Sequence, residues 1–205
     1  MTPPRVAVIL GSESDRAVMD AVTPLLDEFG VVHETIVASA HRAPDLVDRY
    51  AREAEGRGIR VIIAAAGGAA HLAGAVAART VLPVIGVPLD ATGLGGLDAL
   101  LSTVQMPPGV PVATVSVGAW GARNAALLAL QIIATSDEGL RERLRARRAK
   151  TAAAVEAAAG EILDRHCTDA GHSGGRGSLG RRRQGEGGRC ACRPRRHGDP
   201  LQRRE

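Results

Sequence analysis

Five short apolar runs, each followed by small or glycine-rich residues and then by a stretch with helical spacing, set the pattern of the chain. They are Val6–Leu10, Val31–Val37, Ile59–Ala64, Val84–Val87 and Val112–Val117. Strand-length runs of this kind, dense in apolar side chains, belong to strands buried on both faces, as in a parallel sheet covered by helices. Their alternation with helices predicts an α/β protein, a three-layer α/β/α sandwich around a flavodoxin-like parallel sheet of order 2-1-3-4-5 with a C-terminal helical arm. Such sheets bind ligands beyond the carboxyl ends of their strands, where the strand order reverses. The turns after the first three runs are therefore the places to look for chemistry.

The turn after the second run reads Ser39, Ala40, His41, Arg42, Ala43, Pro44. A histidine exchanges protons near neutral pH, and arginine offers a rigid fork of donors suited to phosphate or carboxylate. Pro44 opens a helix whose apolar positions are Leu46, Val47, Tyr50, Ala51 and Ala54. The turn after the first run, Gly11, Ser12, Glu13, Ser14, Asp15, holds small and helix-capping residues before the apolar positions Val18, Met19, Val22, Leu25 and Leu26. It predicts a helix amino terminus able to hold a phosphate, although an ordinary Ser/Asp cap gives the same pattern. After the third run come Gly67, Gly68, Ala69, Ala70 and His71, where glycines let a ligand approach the main chain and a second histidine starts a helix. In the predicted strand order these three turns share one crevice.

Further on, Asp90–Gly96 is a glycine-rich loop of the type that covers a substrate, and Leu97 to Val104 has the spacing of a short helix. A helix from Ala122 to Ile133 is apolar on nearly every face, which predicts cover from another subunit. Ser136, Asp137 and Glu138 cap a last helix running to about Arg165, expected to pack on a neighbour. The expected organisation is a catalytic domain over 1–135, this helix over 136–165, and an Arg/Gly-rich disordered tail over 166–205.

The net charge of +4 would suggest a nucleic-acid partner were it evenly spread. It is not: residues 1–165 carry 16 basic and 18 acidic side chains, and 166–205 carry 10 and 4. An RNA-binding role therefore rests on the tail alone and is disfavoured. All three cysteines, Cys167, Cys190 and Cys192, also lie in the tail, in no common zinc-finger spacing, so neither a disulfide framework nor a metal site is expected. With no signal-peptide pattern after Met1 and no apolar run of membrane-spanning length, the expected address is the cytoplasm, without membrane association. Only 1% of residues are aromatic, so the core must be built from Ala, Val, Leu and Ile.

The strings GSESD (Gly11–Asp15), SAHRAP (Ser39–Pro44), AGGAAHL (Ala66–Leu72), GVP (Gly86–Pro88), LLSTVQMPPGVPVATV (Leu100–Val115) and ARNAALLALQI (Ala122–Ile132) resemble, in order, those of the PurE family of purine biosynthesis, and specifically its bacterial N5-carboxyaminoimidazole ribonucleotide mutases. The resemblance implies a rearrangement without metal, ATP or other cofactor, moving a carboxylate from an exocyclic nitrogen to a ring carbon of an aminoimidazole ribonucleotide. It implies His41 as the acid/base that helps release carbon dioxide and later removes the ring proton. Ser12, Asp15 and Arg42 match substrate-binding positions: Arg42, with the helix start after Gly11, for the 5′-phosphate, and Asp15 for ribose hydroxyls. Ser39 is expected to orient its neighbours. Gly67, Gly68, Ala69 and His71 are expected to wall a dry pocket for carbon dioxide. A homo-octamer with sites completed by neighbouring subunits is implied too.

Ala73, Ala99 and Thr103 depart from the proline, serine and isoleucine common in the family. Two other readings compete with the mutase. Direct carboxylation of aminoimidazole ribonucleotide is disfavoured by Arg42 and the VQMP block, and a non-catalytic nucleotide-binding module would have no use for His41.

Overall fold

The computed structural model describes residues 3–170, with side chains described to residue 159. Five parallel strands form one sheet in the order β2-β1-β3-β4-β5. They are β1 (Val6–Leu10), β2 (His33–Val37), β3 (Val61–Gly67), β4 (Val84–Leu89) and β5 (Ala113–Thr114). The helices are α1 (Arg16–Met19), α2 (Thr23–Glu28), α3 (Pro44–Glu53), α4 (Leu72–Ala77), α5 (Leu97–Val104), α6 (Gly118–Ala134) and α7 (Glu138–Ala170). This is the predicted three-layer architecture and strand order. Every residue of β1 and of β4 is buried, as their apolar runs demand.

Two hydrophobic layers follow from the alternation of side chains across the sheet. On one face Val6, Val8, Leu10, Ile63 and Val87 pack against Leu26, Phe29 and the small-residue stripe Ala122, Ala125, Ala126 and Ala129 of α6. On the other, Ala7, Ile9, Ile62 and Ala64 pack against Val47, Ala51, Leu72 and Val76 of α3 and α4. Alanine at the helix contacts lets backbones approach closely, which replaces the bulk that aromatic residues supply elsewhere. Each fully buried Val, Leu or Ile contributes about 1.5–3 kcal/mol relative to exposure.

Several boundaries differ from the sequence reading, each for a local reason. The single helix expected after Gly11 is a 3-10 turn over Glu13–Asp15, then α1 and α2 separated by a turn. Pro24, at the start of α2, has no N–H to continue the hydrogen-bond ladder from α1. β4 runs past the expected stop at Pro88 because β5 pairs only with Ile85 and Gly86, so Pro88 stands where that flank has no ladder to complete. β5 is short because the chain turns at once into α6, where a side chain on Gly121 would lie 1.7 Å from the Ser116 carbonyl oxygen. α7 extends beyond Arg165 to Ala170, with no proline on the way.

The three departures from the family strings meet in one buried place. Ala73, Ala99 and Thr103 are all nearly inaccessible, and Thr103 Oγ1 donates to the Ala99 carbonyl at 2.7 Å. A side chain on Gly86 would run into Thr103 and Ala73, so the spot is fully packed.

The chain divides into two compact units between Ala157 and Ala158, within α7. In the first unit, Leu140 is fully buried and Leu144 packs on the same core. Asp137 accepts the Leu140 N–H at 3.0 Å and pairs with Arg5 at 3.1 Å. Arg147 pairs with Glu28 at 2.7 Å. The backbone of α7 continues to Ala170 in the second unit, whereas the expectation of a disordered tail falls mainly on 171–205, outside the described residues. Among the described residues no helix is long and apolar enough to cross a membrane, and no group of three or more potential metal ligands occurs.

Candidate active site

The ends of β1 and β3 are adjacent, and from there the chain leaves to opposite sides of the sheet, β1 toward β2 and β3 toward β4. A cavity of about 380 Å³ opens at this point. It takes residues from three turns: Gly11, Ser12, Ser14 and Asp15 after β1; Ser39, Ala40, His41 and Arg42 after β2; Ala66, Gly67 and Ala69 at the end of β3. Leu72 and Ala91 complete it.

The β1 turn is held from within. Asp15 Oδ2 accepts the Ser12 N–H at 2.9 Å, and the Ser14 hydroxyl lies 3.0 Å from that of Ser12. Burial pushes the Asp15 carboxyl above the usual aspartate range, against the Ser12 N–H, the Ser14 hydroxyl and the Arg42 charge, which pull it down. Because the turn is a 3-10 segment followed by the short α1, it presents no long helix dipole, and its Ser12 N–H is already occupied. The strong helix amino terminus expected from the sequence is therefore not present at this turn.

The β2 turn is anchored at both ends. Glu34 of β2 accepts from Tyr50 at 2.5 Å and from Arg57 at 2.6 Å, tying α3 and the turn after it to the strand that leads into His41. The Arg42 N–H donates to Ser39 Oγ at 3.3 Å, and its guanidinium donates to the Gly11 carbonyl at 3.1 Å. Arg42 thus bridges two of the three turns and stands beside the Asp15 carboxylate, with its remaining donors in solvent.

The β3 turn brings the second histidine to the first. His41 Nε2 and His71 Nδ1 are 2.9 Å apart, with the rings edge to face. In such a contact one nitrogen donates and the other accepts, so His71 holds the His41 ring in place. His71 is the residue before α4, a position set by Gly68, whose φ of +61° turns the chain after β3.

Eight of the ten residues singled out from the sequence line the cavity: Gly11, Ser12, Asp15, Ser39, His41, Arg42, Gly67 and Ala69. Gly68 and His71 do not; one shapes the turn and the other contacts His41. Ser14, Ala40, Ala66, Leu72 and Ala91 were missed. The first four neighbour residues already singled out, but nothing in the pattern of Asp90–Gly96 marks Ala91 as facing the cavity. In the single chain His41 and Arg42 are exposed, so the enclosed, dry chamber expected from the sequence is open on their side.

Fold and cavity together define a candidate small-ligand site at the switch point of a parallel α/β sheet, lined by a histidine and an arginine. The chain belongs to the AIR carboxylase family, whose model matches residues 5–154. It is 55% identical over 142 residues to the N5-carboxyaminoimidazole ribonucleotide mutase of Pyrococcus abyssi, covering 69% of this chain and 80% of that one. It is likewise 55% identical over 148 residues to the enzyme of the same name from Bacillus subtilis, covering 72% and 91%. Among solved structures, Treponema denticola PurE superimposes with a TM-score of 0.71 at 25% identity, over 78% of this chain and 98% of that one.

Proposed function

We propose that the protein converts N5-carboxyaminoimidazole ribonucleotide to 4-carboxy-5-aminoimidazole ribonucleotide in purine biosynthesis, an intramolecular carboxylate transfer. The observation that carries this reading is the convergence of His41, Arg42 and Asp15, from two separate turns, on one cavity backed by glycine and alanine. Arg42 binds the 5′-phosphate, assisted by the Ser12 and Ser14 hydroxyls, and Asp15 accepts from the ribose. Ser39 holds the Arg42 backbone.

In the first half-reaction the carbamate N–C bond breaks, carbon dioxide departs, and the nitrogen keeps the electron pair and gains a proton delivered from His41. In the second, the ring carbon attacks carbon dioxide and gives its proton back to His41, restoring aromaticity. One group must both donate and accept at the same pH, a duty that suits an imidazole, and His71, 2.9 Å from His41, holds its ring. Ala66, Gly67 and Ala69 leave room for carbon dioxide while offering it no polar partner.

The open side of the cavity is closed by a neighbouring subunit in a homo-octamer. Exposed Leu94, Leu97, Leu101 and Trp120, and Val155 of α7, supply apolar surface for assembly. Native mass spectrometry should give eight copies, and a monomer would remove this part of the reading. We place the protein in the cytoplasm.

The test supplies N5-carboxyaminoimidazole ribonucleotide without ATP or bicarbonate; the ring-carboxylated isomer should form. The family's description as AIR carboxylase favours one alternative, direct carboxylation of aminoimidazole ribonucleotide. In that case product forms from aminoimidazole ribonucleotide and carbon dioxide at least as efficiently as from the carbamate.

A further inference from the structure

Ala91 is the one residue of the Asp90–Gly96 loop that lines the cavity. It lies against the β3 turn so closely that a Cβ on Gly67 would fall 2.4 Å from the Ala91 Cβ and 3.2 Å from the Leu89 carbonyl oxygen. The next residue, Thr92, has its methyl 3.7 Å from the place of a Cβ on Gly68. The loop therefore forms the outer part of the wall that Gly67 and Gly68 begin.

The end of that loop is packed, since a Cβ on Gly96 would fall 2.5 Å from Val117 Cγ1, but its middle is held by less. Gly93, Gly95 and Gly96 follow within four residues of Thr92, with φ of +62° at Gly95 and +78° at Gly96. Among the described residues, one side-chain hydrogen bond ties the loop to a helix: Thr92 Oγ1 donates to Asp98 Oδ2 at 2.8 Å, while the same hydroxyl accepts the Leu94 N–H at 3.2 Å. Asp98 sits in the first turn of α5, and its other oxygen, Oδ1, is buried without a partner. A carboxylate held in place with half its acceptor capacity unused is costly for stability alone, since an unsatisfied buried acceptor costs about 1–3 kcal/mol. Its Thr92 contact, one step from the cavity, supplies a functional reason for keeping it.

We infer that Asp98 is a positioning residue for carboxylate transfer: through Thr92 it holds Ala91 against Gly67 and keeps the cavity wall shut while carbon dioxide is free. This rests on the mutase reading above. When the wall loosens, carbon dioxide released by cleavage of the N–C bond leaves before the ring carbon attacks it, and the protonated nitrogen product departs as aminoimidazole ribonucleotide. The signature is uncoupling, a decarboxylated by-product, and not merely slower turnover.

The experiment supplies N5-carboxyaminoimidazole ribonucleotide to the full chain and measures aminoimidazole ribonucleotide formed per ring-carboxylated product, corrected for breakdown without enzyme. Thr92→Val is nearly isosteric at an exposed position, so it removes the hydroxyl without unfolding the domain. Thr92→Val and Asp98→Ala should each raise the by-product ratio about tenfold, the value of one hydrogen bond, with the double variant no worse than either. Thr92→Ser should restore the wild-type ratio. An unchanged ratio in Thr92→Val, with wild type forming product normally, overturns the inference alone. Wild type forming no ring-carboxylated product overturns the mutase reading and the inference with it.

Discussion

The turn after β2 and the turn after β3 serve one cavity in opposite ways. The first carries functional groups: His41 and Arg42 face solvent, and the backbone beneath them is fixed by Ser39 and by the Glu34–Tyr50–Arg57 cluster. The second carries shape: Gly67, Gly68 and Ala69 offer almost no side chain, and the space they leave is bounded by Ala91 and Thr92. The histidines are where the two meet. On the proposed function, His41 needs access and a partner, whereas a pocket for carbon dioxide needs closeness and no polar partner. Dividing those demands between the ends of β2 and β3, which flank β1, allows each to be met without compromising the other.

That division can be broken from either side. The largest effect is expected at the chemical turn: His41→Asn should reduce turnover about 10²–10⁴-fold, the usual contribution of a general acid/base, with ribonucleotide affinity by calorimetry little changed. Weakened binding of similar size would make His41 a binding group and dissolve the contrast. Next comes the shaping turn. Gly67→Ala adds a methyl that must displace Ala91, and an error of about 1 Å in the wall should lower kcat about 10²-fold while His41 stays in place. A variant as active as wild type would mean the β3 turn is packing only.

Smaller effects sharpen the assignment of charge. Arg42→Lys retains the positive charge but loses the planar fork, so KM should rise about tenfold with kcat nearly unchanged. The smallest effect concerns Asp15. Its folded carboxyl titrates above the unfolded one, so between those two values the folded state binds more protons. Stability relative to Asp15→Asn should therefore be greatest at acidic pH and fall as pH rises through that interval. Urea titrations of both proteins from about pH 3 to pH 7 follow this difference, and a rise with pH would mean that the hydrogen bonds outweigh burial.

Much of this architecture could be read from the chain. Uninterrupted runs such as Val6–Leu10 announce buried parallel strands, and the position of a turn after such a strand places its residues at the ligand-binding edge. Hence the sequence alone places His41, Arg42, Asp15 and Gly67 at that edge. Most of what escaped depended on partners distant in sequence. Pro88 suggested the end of β4, but its tolerance depends on where β5 stops pairing. The break between α1 and α2 was written in Pro24, yet the apolar spacing on either side masked it. Ala91 carries no chemical signature; only its packing against Gly67 reveals it. The predicted strand order brings the turns of His41 and His71 to one crevice, but sequence spacing alone does not give the 2.9 Å between them.

The central claim is that the two turns keep carbon dioxide within one cavity between bond breaking and bond making. It is tested most directly by giving the wild-type protein N5-carboxyaminoimidazole ribonucleotide labelled with ¹³C in its carboxylate, in buffer containing excess unlabelled bicarbonate and carbonic anhydrase, and measuring the label in the product. Retention of nearly all the ¹³C at the ring carboxylate is the predicted result. Dilution of the label toward that of the dissolved pool would contradict it.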